Sequence, residues 1–319
     1  MNSYNTLSYY VSSFLIIFWF LIFQAPWSAA IWVRNSTTSE YKHHCGGSII
    51  TENHILTAAH CVDQRILPDI SDVISDLKVI VGMRNPGRNC SRKVAVEYQI
   101  KKVSIHPKFN FPYFDVSILE LKSKLQYTKG IAAICLSNVP TDSLTGHSAS
   151  LFGWGARDHN GIPSKVLLGT HQLKVTSIRQ CRNKINFFTY DNDHYISVFG
   201  RDSWLKTNST TRQKSMEALI CVKDNEPDGL VGSCGGDSGS AVVTEAFGFN
   251  RVLTFEQFGI VSGGRCSSRN SPSVLTHVGH QEVLSFIKKE SKLPVTYQIF
   301  VVVEYYTSMH FLFFVPNYP

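Results

Sequence analysis

Between residues 26 and 292 the chain alternates short apolar runs with clusters of Gly, Pro, Asn and Asp. Residues 48–56, 77–81, 95–105, 116–121, 148–152, 173–178, 240–243 and 252–261 are rich in Val, Ile, Leu or Phe. Many short strands bounded by turn residues predict an all-β sandwich or barrel. One stretch, 280–291, has plain helical spacing, with Val283, Leu284 and Ile287 on one face. Residues 138–148 are polar and contain Pro140 and Gly146, which predicts a crossing between two halves. Residues 182–217 are polar and aromatic without a clear period, as in a long inserted loop. After the helix, 293–319 forms an apolar tail (IFVVVEYY, HFLFFV) of unknown role, interrupted by Glu304 and His310.

The beginning of the chain follows a different pattern. Residues 1–33 contain no Asp, Glu, Lys or Arg, and Val11–Phe23 is an apolar run. Such a run is short for a membrane span and suits the core of a signal peptide over residues 1–25, with small residues at Ala25 and Ser28-Ala29-Ala30 for cleavage. A signal-anchor is the other reading of this segment. A tether through 11–23 or 295–319 is disfavoured, because neither run reaches 18–20 uncharged apolar residues.

Composition narrows the class. The 319 residues include 43% hydrophobic and 17% charged side chains, which excludes wholesale disorder. The net charge of +7 is spread along the chain with no basic run, so a nucleic-acid partner is not expected. Eight cysteines, an even number, suit an oxidising compartment. Three glycosylation sequons, at Asn35, Asn89 and Asn208, agree with secretion.

Three segments carry candidate chemistry: Leu56-Thr-Ala-Ala-His60-Cys61, Phe114-Asp115 opening an apolar strand, and Gly232-Ser-Cys234-Gly-Gly236-Asp237-Ser238-Gly239. A serine hydroxyl is a poor nucleophile at neutral pH and needs a base within hydrogen-bond reach. Histidine can take and return that proton. A buried Asp fixes the imidazole tautomer and stabilises the imidazolium. Glycines around the serine allow a tight turn that aims two backbone N–H groups at one oxyanion. Each segment alone is a weak signal. The order His, Asp, Ser is that of one known triad arrangement.

These segments resemble the trypsin/chymotrypsin family of serine endopeptidases. The resemblance also rests on Cys45-Gly-Gly-Ser-Ile-Ile, Ile105-His-Pro-Lys-Phe-Asn110, Gly153-Trp-Gly155 and Gly259-Ile-Val-Ser262, and it covers residues 26–292. It implies two packed six-stranded antiparallel β-barrels, with a C-terminal α-helix and the site in the cleft between barrels. It implies Ser238 as nucleophile, His60 as general acid/base and Asp115 as its orienter. The N–H groups of Gly236 and Ser238 would form the oxyanion hole. The implied disulfides are Cys45–Cys61, Cys181–Cys221 and Cys234–Cys266. Cys90 and Cys135 are left open: a mutual pair, an external partner, or free thiols. No metal or organic cofactor is implied, and the partners are protein or peptide substrates and protein inhibitors.

The same match locates a primary pocket at Gly232, Gly264 and Ser273, flanked by Ser262 and Gly263. All are uncharged, so a preference for Arg or Lys is not expected, and an apolar or small side chain is. Gly263 stands where the family usually has Trp. The family is switched on when cleavage frees an Ile-Val-Gly-Gly-like terminus whose ammonium pairs with the carboxylate preceding the nucleophile, here Asp237. No such motif occurs in the sequence, and its expected place near Phe14 falls inside the apolar run. A buried carboxylate without its cation is costly. The resemblance therefore implies a secreted serine endopeptidase, with a catalytically silent homologue acting as a binding or regulatory module as the alternative.

Overall fold

The computed structural model describes residues 25–67, 70, 72–83, 95–156, 164, 166–176, 215–225, 232–247, 253–264 and 272–293. The first six strands are β1 (Ser28–Arg34), β2 (Tyr41–Ile49), β3 (His54–Thr57), β4 (Leu77–Val81), β5 (Val96–Ile105) and β6 (Ser117–Leu121). They close into an antiparallel barrel in the order β1-β2-β3-β6-β5-β4, and β1 pairs with β4 to complete the ring. In β4 the sequence LKVIV alternates buried and half-buried positions, as a strand with one face on a core requires. Ile31, Val79, Ile100 and Leu119 fill the interior with no exposed surface.

β7 (Cys135–Leu136) lies parallel to β12 (Leu253–Gly263) at the edge of the second sheet. The rest of that sheet is β8 (Ser148–Gly153), β9 (Leu168–Thr176), β10 (Leu219–Asp224), β11 (Ala241–Phe247) and β13 (Ser273–His277). Its order is β11-β8-β9-β10-β13-β12, and a β11–β12 pairing closes these six strands into a second antiparallel barrel. Leu151, Val242, Phe258 and Leu275 form its centre.

Short helices α1 (Val73–Asp76) and α2 (Thr141–Leu144) punctuate the loops. The C-terminal helix α3 (Gln281–Ser291) returns to the first barrel, where Val283, Phe286 and Ile287 are buried. Phe286 takes the place on that face expected of Leu284, which is only half-buried. Lys102 Nζ meets Glu290 at 2.8 Å, and Lys108 pairs with Glu282, fastening α3 to the end of β5 and the loop beyond it.

Several sequence expectations need correction. The run 48–56 is not one strand. It is the end of β2, a turn closed by Ile50 N–H to His54 O at 3.0 Å, and then β3. Thr51-Glu52-Asn53 is the polar break that makes the turn. The crossing between halves is 122–134 rather than 138–148, because β7 already belongs to the second sheet. β9 begins at Leu168, five residues before the expected start, and β1, β7, β10 and β13 have no counterpart among the apolar runs read from the sequence. Most of the 182–217 insertion, residues 1–24 of the expected signal segment 1–25 and the tail beyond Leu293 lie outside the described residues.

Candidate active site

After β3 the chain tightens into one 3-10 turn, Ala59–Cys61, which carries His60. A disulfide from Cys61 to Cys45 ties this turn to β2. Asp115 precedes β6 and is completely buried. Its Oδ1 accepts from His60 N–H at 2.9 Å, and its Oδ2 lies 2.6 Å from His60 Nδ1. A carboxylate only accepts, so Nδ1 carries the hydrogen and Nε2 is left with a lone pair. Ser262 Oγ donates to the same Oδ2 at 2.6 Å, and Thr276 Oγ1 donates to the Asp115 carbonyl at 2.9 Å. Three donors on one buried carboxylate offset its desolvation, at roughly 1.5–3 kcal/mol per charge-assisted bond.

Neighbouring rings restrain the pair. The edge of Phe111 meets His60 with centroids 5.7 Å apart, and Cys61 Sγ lies 3.8 Å from Nε2. Phe114, immediately before Asp115, has a φ of 52°, a left-handed conformation rarely taken by bulky residues. It stacks on His106 at 4.7 Å, which holds it there.

Two consecutive turns share Asp237, and Ser238 is the second residue of the later one. Asp237 N–H bonds Cys234 O and Ser240 N–H bonds Asp237 O, both at 2.9 Å. The third residues of these turns, Gly236 and Gly239, have φ of 97° and 80°, which favours glycine. Backbone bonds fix the segment from both barrels: Gly46 N–H to Ser238 O at 2.7 Å and Gly239 N–H to Val261 O at 2.8 Å. A Cβ on Gly239 would lie 2.2 Å from Thr57 Oγ1 and 3.1 Å from Ala58 N. The serine turn is thus pressed against the two residues that lead into the His60 turn. Val261 is also the neighbour of Ser262, so one stretch of β12 holds the serine loop and the Asp115 carboxylate together. His60, Asp115 and Ser238 are brought to one place by these links.

Asp237 points away from that place. Its Oδ1 accepts from Gly155 N–H at 2.8 Å and its Oδ2 from Cys234 N–H at 3.0 Å. Cβ atoms on Gly153 or Gly155 would lie 2.1 and 2.2 Å from its oxygens, so the Gly-Trp-Gly motif makes the slot it occupies. Burial pushes its pKa up to about 6, against the lowering by the two backbone donors. Among the described residues no cation pairs with it. Nearby, burial lowers His43 and His44 to about 4.

Of the expected pocket residues, Gly264 and Ser273 lie against Ser233, and Ser262 turns its hydroxyl to Asp115. Ser273 Oγ accepts from Ser233 N–H at 2.8 Å and lies 2.9 Å from Ser233 Oγ. Ser233 was not anticipated from sequence. Nor were the Gly46 and Thr276 contacts, although the adjacent glycines after Cys45 signal a close backbone approach: a Cβ on Gly46 would meet Ser240 Oγ at 2.0 Å. Donor atoms of Cys45, His60 and Cys61 lie within 4.8 Å of one another, but both sulfurs are consumed in the disulfide and offer no thiolate.

Cys221 and Cys234 are also disulfide-bonded, while Cys181 and Cys266 lie outside the described residues, as do Cys90, Asn89 and Asn208. Cys135 is buried. Asn35 caps its own turn, its Oδ1 accepting from Thr37 and Thr38 N–H at 2.8 and 2.9 Å.

Comparison with known proteins shows the family. The family model described as Trypsin matches residues 22–287. A venom serine protease of Polistes dominula is 26% identical over 77% of the chain and 74% of its own length. The serine proteinase stubble of Drosophila melanogaster is 27% identical over 79% of the chain and 28% of its own length. The venom serine protease Bi-VSP of Bombus ignitus is 28% identical over 79% of the chain and 62% of its own length. The chain therefore spans less than two thirds of the latter two relatives.

Proposed function

The chain belongs to the trypsin family of serine proteases, and from that premise we propose that it is a secreted serine endopeptidase acting through Ser238, His60 and Asp115. The observation that carries this reading is the buried Asp115 carboxylate, which binds both the backbone and Nδ1 of His60 and leaves Nε2 as the base. In the proposed reaction His60 Nε2 takes the Ser238 proton as Oγ attacks the scissile carbonyl. The N–H groups of Gly236 and Ser238 stabilise the oxyanion. His60 then protonates the leaving amine, and water, activated the same way, hydrolyses the acyl-enzyme.

The uncharged Gly232, Gly264 and Ser273 offer no counter-charge to Arg or Lys, so the substrates are proteins or peptides with an apolar or small residue before the scissile bond. Protein inhibitors of the same cleft are a second class of partner. Secretion is supported by the uncharged apolar leader in the sequence, by the disulfides and by relatives named as venom proteases. No helix among the described residues is long and apolar enough to cross a membrane.

One observation favours the silent-homologue alternative: Asp237 is buried with backbone donors but no cation among the described residues. Peptide hydrolysis by protein purified from culture medium separates the two. The proposal expects turnover that Ser238→Ala lowers by orders of magnitude, with an unchanged unfolding midpoint. Turnover surviving in pure Ser238→Ala protein contradicts it.

A further inference from the structure

The Cys45–Cys61 disulfide lies beside the base. Cys61 Sγ is 3.8 Å from His60 Nε2, and donor atoms of Cys45, His60 and Cys61 are all within 4.8 Å of one another. In a tetrahedral zinc site, bonds of about 2.3 Å to sulfur and about 2.0 Å to nitrogen put two sulfurs ~3.8 Å apart and sulfur and nitrogen ~3.6 Å apart. The Cys61–His60 pair already has close to that spacing. The two cysteine Cα atoms are 6.1 Å apart, so without the covalent bond side-chain rotation brings the sulfurs to the spacing an ion needs.

The surroundings favour an ion there in two further ways. A metal-ligating histidine usually donates its other ring N–H to a carboxylate, which fixes the tautomer and makes the ligating nitrogen more basic. His60 Nδ1 already gives its hydrogen to Asp115, 2.6 Å away. Cys45, Cys61 and His60 are also buried. Two thiolates and a neutral imidazole around a divalent cation carry no net charge, so the assembly suits an enclosed place where separate charges do not.

We infer that the reduced chain binds a thiophilic divalent cation such as zinc through Cys45 Sγ, Cys61 Sγ and His60 Nε2, and that this ion silences the base. Thiols are present before the disulfide forms. They return when a phosphine gives two electrons to the disulfide and becomes a phosphine oxide with oxygen from water. The cation displaces both thiol protons to the buffer and takes the Nε2 lone pair, which then no longer accepts the Ser238 proton. The silencing rests on the serine-endopeptidase reading above, whereas the binding does not.

Protein purified from culture medium is reduced with a phosphine and titrated with cobalt(II), a spectroscopic stand-in for zinc. Thiols freed elsewhere are controlled by His60→Ala and by the double variant Cys45→Ser/Cys61→Ser, treated identically. The wild type is expected to bind one more cobalt ion than the double variant, with thiolate-to-cobalt charge transfer and the visible bands of a tetrahedral ion. His60→Ala is expected to weaken that ion at least ~10-fold. Zinc is expected to lower peptide hydrolysis by the reduced protein at least ~10-fold, a chelator to restore it, and the oxidised protein to be unaffected. Cobalt affinity in His60→Ala within about threefold of wild type, or equal numbers of ions in the double variant, overturns the proposal. If reduction unfolds the chain, native circular dichroism that cobalt(II) restores in the wild type but not in the double variant supports the site, and failure to restore it overturns the site. In a protein active when oxidised, hydrolysis after reduction that does not fall with zinc and return with chelator overturns the silencing. Binding that depends on His60 in a protein inactive even when oxidised supports the site and overturns the endopeptidase reading.

Discussion

Asp237→Asn removes a carboxylate that the fold buries in the slot made by Gly153 and Gly155. In the wild type, burial raises this group from 3.8 to about 6. Below both values the carboxyl is protonated in the folded and unfolded chain, and burial carries no ionic penalty. As pH rises, the unfolded chain ionises first while the folded chain holds its proton, so stability falls until about pH 6. Above that the full penalty remains, ~3 kcal/mol. Asparagine does not titrate. It retains one acceptor oxygen for Gly155 or Cys234 N–H and loses the other, an offset that does not depend on pH. Urea unfolding of both proteins, disulfides intact, is measured from pH 4 to 7.5. The wild type is expected to gain ~2–3 kcal/mol relative to Asp237→Asn as pH falls across this range. The difference cancels the titration of every other group. A difference constant within about 1 kcal/mol, or one that favours the variant at low pH, refutes the reasoning and shows that a cation compensates Asp237.

Two other consequences are open to measurement. His43, His44 and His277 are buried with their pKa values lowered to about 4, so the unfolded chain takes up protons first as pH drops below 6.5. Their contribution to stability is complete above 6.5 and is lost toward pH 4, at ~3 kcal/mol each, and single replacements with Gln are expected to flatten the acid limb of the urea midpoint. Gly239→Ala forces a side chain into a left-handed backbone 2.4 Å from Gly46 O. A loss of ~3 kcal/mol and of hydrolysis is expected by thermal melting and peptide assay, and an unchanged Tm contradicts the turn geometry.

Much of this site was legible as local motif, and much of its assembly was not. His60, Asp115 and Ser238 stand in segments whose neighbours are dictated by chemistry, so residue types alone pointed to them. The glycines at 236 and 239 were readable because a positive φ leaves few alternatives. Ser262 was expected beside the substrate, yet its hydroxyl is on Asp115. That direction depends on the register shift in β12, and a one-residue shift turns a side chain to the other face. Ser233 was missed because its partner Ser273 lies 40 residues away, and pairing at that range is set by how the strands close. The fold shows the same division. β4 was found from its run of Leu, Val and Ile and α3 from its helical spacing, whereas β13, SVLTH, is buried throughout yet breaks its apolar residues with Ser, Thr and His. The crossing was misplaced because membership in a sheet is decided by hydrogen bonding, not by the polarity of the connecting loop.

Fluorophosphonate labelling of the protein purified from culture medium tests the assembled triad most directly. The reagent phosphonylates a serine only when a base and an oxyanion site activate it, and it needs no primary slot. The geometry of His60 on Asp115 predicts one label, mapped by mass spectrometry to Ser238 and lost in His60→Ala. A folded protein that stays unlabelled, or one whose Ser238 labels equally well in His60→Ala, contradicts the assignment.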